Sequence, residues 1–278
     1  MSPQRPARAR SVLYLPASNA RAIEKARGLA CDVAVLDLED AVAPDMKIEA
    51  RAAAVAAARE GGFAPRLAVR INGLDTPWGA DDLAALRDAP VQLIIAPKVE
   101  SAAMVHALSR NMAPGVVLWA MIETPRALVD LRDIAEADGA LGGLMLGVND
   151  LAKDLKTGAS SDREPLKPWL AAVVAHARAN GLTAIDGVFN RIKDEDRFKA
   201  ECAQGRLYGF DGKSLIHPSQ IEGANSAFGP SAAEVEWAHR VVAAFAAPGA
   251  EGLGVIRIEG EMVERLHLAQ AEGLLANL

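Results

Sequence analysis

The chain has 278 residues, 51% of them hydrophobic and 24% charged, with a formal net charge of −6 at pH 7. That balance can bury a large core under a solvated surface, and the length suits one β/α barrel of ~250 residues better than two small domains. The acidic excess argues against a nucleic-acid binder, which needs a basic face for phosphates, and no apolar run reaches the ~20 residues of a membrane span.

The first ten residues carry Arg5, Arg8 and Arg10 with no acid and read as a flexible tail. Short apolar runs then alternate with helical patterns. The runs are SVLYLPA from Ser11, VAVLDLED from Val33, RLAVRIN from Arg66, QLIIAPKVE from Gln92, VVLWAMIET from Val116, GLMLGVNDL from Gly143, TAIDGVF from Thr183 and GFDGKSLIHP from Gly209. Helices are expected between them, over Asn19 to Leu29, Lys47 to Arg59, Ala80 to Arg87, Ala102 to Arg110, Arg126 to Ala137, Pro168 to Ala179 and Asp194 to Ala203. This β-then-α rhythm implies parallel strands with right-handed crossovers, and eight repeats favour a closed TIM (β/α)8 barrel over residues 11–228. Residues 229–278 are surplus to a barrel. They read as a helix over Ala232 to Ala247, a break at Pro248 and Gly249, and a strand-turn-helix around Gly260, together forming a lid or an arm.

Two distant cysteines, Cys31 and Cys202, make neither a CxxC pair nor a disulfide framework and fit a reducing cytoplasm. The strands turn polar at their carboxyl ends, where barrel chemistry is done. Asp37, Glu39 and Asp40 follow the second strand, Arg70 and Asn72 the third, Lys98 and Glu100 the fourth, Glu123 the fifth and Asp150 the sixth. Asp211, Lys213 and His217 lie on or after the eighth. So many carboxylates at one mouth would repel each other unless a cation held them together. No HExxH or paired histidine spacing marks a zinc site. Oxygen donors instead suit Mg2+, with Glu123 and Asp150 as ligands, although a helix cap for Asp150 and an ion pair for Glu123 explain the same pattern. Arg70 could clamp a substrate carboxylate with its planar fork while Asn72 orients a neighbouring oxygen, or could form a salt bridge to Asp37 or Glu39. There is no GxSxG elbow, Walker A loop or GxGxxG fingerprint.

LYLPASNARAIEKA, LDLEDAVAPDMKIEAR, VRINGLDTPWG, APKVES, MIETPRAL, GVNDLAKDL, GFDGKSLIHPSQI and the terminal EGEMVE segment, in that order, resemble the citrate lyase β-subunit-like family of the HpcH/HpaI aldolase superfamily. That family includes citryl-CoA, malyl-CoA and citramalyl-CoA lyases and related malyl-CoA thioesterases. The resemblance implies a cytoplasmic, magnesium-dependent TIM barrel, a homotrimer or hexamer, that takes an acyl-CoA substrate and a small keto acid. It places Mg2+ on Glu123 and Asp150, the oxo-acid carboxylate on Arg70, and a supporting role on Asp37, Glu39 and Asp40. Arg21, Lys25 and Lys213 are the candidates for CoA phosphates or for ordering the entrance.

The implied reaction is carbon–carbon cleavage or formation of a 3-hydroxyacyl-CoA, with malyl-CoA-type thioester hydrolysis and a low-activity scaffold or carrier-protein partner as alternatives. A related aldolase acting on free hydroxy-oxo acids would use similar carboxylates without CoA. Glu264, reaching a neighbouring subunit's site, is the expected proton carrier, with Glu259 in reserve. Two departures stand out. The family's PGSN reads Pro16, Ala17, Ser18, Asn19 here, and its terminal DGKMID reads Glu259 to Glu264, exchanging Lys for Glu and the last Asp for a longer Glu.

Overall fold

The computed structural model describes residues 8–158, 160, 162–250 and 252–276. The chain divides into two compact units, Met1–Phe228 and Gly229–Leu278. In the first, eight parallel strands close into a barrel: β1 Ser11–Pro16, β2 Val33–Asp37, β3 Arg66–Arg70, β4 Leu93–Ala96, β5 Val117–Ile122, β6 Leu141–Leu146, β7 Thr183–Asp186 and β8 Gly212–Leu215, with β8 pairing back onto β1. The helices between them are α1 Ala20–Ala26, α2 Lys47–Glu60, α3 Gly79–Leu86, α4 Ala102–Asn111, α5 Pro125–Val129, α6 Leu131–Ala135, α7 Val148–Asp154, α8 Lys167–Ala179 and α9 Glu195–Tyr208, and α10 Ile221–Phe228 follows β8.

Strand alternation sorts each side chain to the lumen or to the helix layer. Val12 and Tyr14 of β1, Val33 and Val35 of β2, Leu93 and Ile95 of β4, and Trp119 and Met121 of β5 pack together inside the barrel. Leu36, Val69, Ile94, Leu118 and Leu144 face outward into the larger core beneath the helices. Both faces are covered, so most strands are apolar along their middle and polar at their ends, β8 with its buried Lys213 and Ser214 being an exception. Gly143 makes room for the largest lumen side chain, since a Cβ there would stand 2.6 Å from Trp119 Cδ1.

Three expectations change within the first unit. The segment Arg126 to Ala137 is two short helices meeting at Asp130, whose φ of −98° and ψ of 14° leave the helical region. The run GLMLGVNDL is strand only to Leu146 and then becomes α7, so Asp150 sits in the first turn of a helix. The tail is not free at its inner end: Ala9 is buried, and Arg10 donates to Asp32 from its backbone N and from its guanidinium at 2.7–2.8 Å. Residues 1–7 of that expected tail lie outside the described residues.

The second unit holds α11 Ala232–Ala246, the antiparallel pair β9 Val255–Ile258 and β10 Glu261–Glu264, and α12 Arg265–Leu275. A hairpin turned at Glu259 and Gly260, both at positive φ, therefore replaces the single strand expected there. Ala238, Val241, Val263 and Ala271 form a small core of its own. Among the described residues, no helix is long and apolar enough to cross a membrane.

Candidate active site

At the carboxyl end of the barrel the last lumen-facing positions carry charge. Asp37 and Arg70 are cross-strand partners at the ends of β2 and β3. Arg70 Nε and Nη2 donate to Asp37 Oδ1 and Oδ2, each at 2.6 Å, a two-bond pair buried on both sides. Its Nη1 lies 2.8 Å from Glu39 Oε2 and 3.6 Å from Asp40 Oδ2. Burial alone would lower the Arg70 pKa, but Asp37 outweighs it and holds the guanidinium charged. Asp37 is itself fixed by the backbone N–H groups of Glu39 and Ala41. The fork is thus spent on the protein, and the salt bridge that competed with substrate binding in the sequence is present. What Arg70 can offer a ligand is the rest of its N–H groups.

Glu123 follows β5 and is almost fully buried. Its Oε1 accepts from the backbone N–H of Lys98 at 2.8 Å, which Lys98 delivers from a left-handed conformation of φ 49°. Gly147 makes the space for this carboxylate, because a Cβ there would run into the Glu123 side chain. Burial, and then the charge of Glu39, push the Glu123 carboxyl up to about 7, with Asp150 adding to the effect. Glu39 is likewise pushed up to about 7, by burial first, with Arg70 opposing.

One cavity of about 290 Å³ gathers Asp37, Asp40, Arg70, Glu123 and Asp150 with Tyr14, Met121, Val148, Val188 and Ser214. Asp150 reaches it from α7, with Lys153 Nζ 3.1 Å from its Oδ1. Tyr14 and Gly147 escaped the sequence reading, and Ser214 was weighed there only as a nucleophile beside His217 and set aside. Their signal is alternation: Tyr14 is the lumen position two residues beyond Val12, and Ser214 is the lumen neighbour of Lys213.

Other expected residues lie elsewhere. Lys213 is fully buried on the outer face of β8, its ammonium 2.9 Å from Asp186 Oδ2 and 2.7 Å from Glu201 Oε1, so it does not meet substrate phosphates. Arg163 completes the cluster at 2.7 Å from Asp186 Oδ1. Asn72 is buried and spends its side-chain amide and backbone N–H on Asp82, tying the end of β3 to α3. Asp211 precedes β8, at the amino end of the barrel, where it pairs with Arg178. Arg21 and Lys25 are exposed on α1 and do not line the cavity. Glu264 ends β10 in the second unit, its backbone N–H donating to His267 Nδ1 at 2.9 Å.

Among the described residues, no three His, Cys, Asp or Glu side chains converge as a ready-made metal cage. The donor set still fits Mg2+, which takes one or two carboxylates and fills its octahedron with water and substrate oxygens. Glu123 and Asp150 supply the two carboxylates on a cavity with room for the rest. Burial comes first in raising the Glu123 and Glu39 carboxyls, and a bound cation would favour their charged forms.

The model of the HpcH/HpaI aldolase/citrate lyase family matches residues 10–218. The chain belongs to that family. Among its relatives, a (3S)-malyl-CoA thioesterase of Cereibacter sphaeroides is 47% identical over 268 residues, covering 96% of this chain and 93% of the relative. Citrate lyase subunit beta of Leuconostoc mesenteroides subsp. cremoris is 34% identical, covering 96% and 92%. The structure of protein CitE from Mycobacterium tuberculosis in complex with magnesium, acetoacetate and coenzyme A is 34% identical, covers 98% of both chains and superposes with a TM-score of 0.81. The family thus includes proteins crystallised with Mg2+ and CoA, on the fold that this chain shares.

Proposed function

We propose that this protein hydrolyses the CoA thioester of a short 3-hydroxy dicarboxylic acid of the malyl-CoA kind, releasing free CoA and the intact hydroxy acid. The observation that carries the reading is the 47% identity, along nearly the whole chain, to proteins named (3S)-malyl-CoA thioesterase. A mouth lined by a carboxylate pair and an arginine is consistent with it.

Mg2+ held by Glu123 and Asp150 would supply Lewis acidity toward a substrate oxygen and offset the charge of the acids around it. The remaining work falls to the chain itself. Asp37 locks the guanidinium of Arg70, which then meets the acid's carboxylate through its free N–H groups. Asp40, on the cavity wall and open to solvent at the mouth, would take a proton from the attacking water. The water oxygen bonds to the thioester carbon, the C–S bond breaks, and the proton passes to the leaving thiolate. Val148 and Val188 give the cavity an apolar wall.

Carbon–carbon cleavage is the second reading, favoured by the 34% identity to citrate lyase subunit beta. It yields a keto acid and an acyl-CoA enolate, which Glu264 of an adjacent subunit would protonate, with Glu259 as the reserve. Malyl-CoA, citramalyl-CoA and citryl-CoA, each incubated with Mg2+, separate the two when free thiol and keto acid are read independently. Thiol without keto acid is expected. Keto acid without thiol would replace hydrolysis by lyase activity, and neither product would leave the scaffold or carrier-protein reading.

A further inference from the structure

Tyr14 stands beneath the Arg70 guanidinium, whose Cζ is 4.7 Å from the ring centroid. Both residues line the mouth cavity, and both face the lumen. The acceptors for the tyrosine hydroxyl are unusual. It donates to Met145 Sδ at 2.9 Å and lies 3.7 Å from Met121 Sδ. Met121 Sδ is also 3.9 Å from Arg70 Nη1. A thioether sulfur is a weak acceptor, so the phenol is held but poorly satisfied beside Arg70 on the wall of the cavity. Burial, with Asp37, Glu123 and Glu39 adding to it and Arg70 opposing, raises its pKa and keeps it a neutral donor at working pH.

The surrounding groups narrow what such a donor can meet. Asp37 already accepts from both sides of the Arg70 fork, and Glu123 accepts from Lys98. The better acceptor that a bound hydroxy acid brings to this pole is its own carboxylate, which Arg70 attracts. A neutral hydroxyl can add a bond there without repelling the arginine or competing for the cation.

We propose that Tyr14 belongs to the substrate-binding machinery: its hydroxyl leaves the methionine sulfurs to donate to the acid's carboxylate, while its ring fixes the plane of Arg70. This deepens the function proposed above and rests on that reading for the identity of the acid.

The test compares Tyr14→Phe, which keeps the ring, with Tyr14→Leu, which removes it. Calorimetric titration with free malate in the presence of Mg2+ should show ~10-fold weaker binding for Tyr14→Phe, the loss expected for one hydrogen bond to a charged group. Tyr14→Leu should bind more weakly still. With malyl-CoA the phenylalanine variant should raise KM by a similar factor and leave kcat within ~3-fold. Inhibition by 3-hydroxybutyryl-CoA, which lacks the distal carboxylate, should not change. Malate affinity equal to wild type in Tyr14→Phe would overturn the hydroxyl's role, as would an equal loss for 3-hydroxybutyryl-CoA, which would indicate general distortion. Equal affinities in the two variants would overturn the ring's role. A wild-type protein that binds malate but turns over no malyl-CoA would sink the proposed activity and leave Tyr14 to be judged on malate alone. One that binds no malate would overturn the assignment of this pole.

Discussion

Arg70 has its strongest hydrogen-bonding edge occupied by Asp37, so its value to a ligand lies in a fixed charge and the remaining N–H groups. Lysine cannot reproduce that arrangement: Arg70→Lys keeps the charge but loses the two-bond lock, and kcat/KM should fall by about 100-fold with folding intact. Native circular dichroism with unchanged kinetics would count against the role. The carboxylate pair predicts a binding effect that needs no turnover. Saturating Mg2+ should raise the melting temperature of the wild type and leave Glu123→Gln and Asp150→Asn unmoved, because only the protein that binds the ion gains from it. The position of Asp37, Arg70 and Glu123 at the barrel mouth was legible in the sequence because each is a charged residue closing an apolar strand. Lys213, Asn72 and Asp211 carry the same kind of signal and were misread: position near a strand end says neither which face a side chain takes nor which end of the barrel it occupies. Tyr14 was missed for the opposite reason, since an aromatic residue in an apolar run looks like core.

Between β7, β8 and α9, the buried group of Asp186, Lys213, Arg163 and Glu201 balances two negative charges with two positive ones. Although burial opposes ionisation, Lys213 and Arg163 hold the Asp186 carboxyl below the usual carboxylate range. A carboxyl depressed in the folded state stabilises the fold above its unfolded pKa of about 3.9, and that stability is lost as pH falls below it. Asp186→Asn leaves two buried cations short of a partner and should cost about 3–5 kcal/mol in urea denaturation at pH 7. The same variant should show a shallower loss of stability than wild type between about pH 4.5 and 2.5. Equal slopes would mean that Asp186 does not carry this acid sensitivity. The strands were readable mostly from apolar runs, because burial on both faces leaves a continuous signal, whereas β8, Gly-Lys-Ser-Leu, was readable only from its place in the repeat. The α7 helix was not, because Val148 and Leu151 prolong the apolar pattern of β6 past its end. The break at Asp130 lies between two stretches of similar composition and leaves no mark in the residues.

For the whole molecule, the barrel was legible from its repeat and the hairpin of the second unit was not, since EGEMVE shows a turn without saying that strands flank it on both sides. A role for residues 252–278 over a neighbouring subunit remains a proposal with a direct check. On the carbon–carbon cleavage reading, Arg70→Ala and Glu264→Gln, each without lyase activity alone, should recover part of it when mixed and allowed to exchange subunits. Full activity in a monomer, or no recovery after verified exchange, would end it.

The order of the strands along the chain also sets an order in time. Asp37, Arg70, Glu123 and Asp150 are all synthesised before β7 and β8, yet the wall they stand on closes only when β8 pairs with β1. Until then the acids stand along the carboxyl ends of an open sheet, and although β5 and β6 already bring Glu123 near Asp150, the β1 and β8 wall of their cavity, with Tyr14 and Ser214, is missing. The ion should therefore act as a latch on the finished barrel and not as a guide to its assembly. In stopped-flow experiments Mg2+ should leave the refolding rate within about 2-fold and slow unfolding by the full factor that it adds to stability. Faster refolding with Mg2+ would show that the acids hold the ion before the ring is closed.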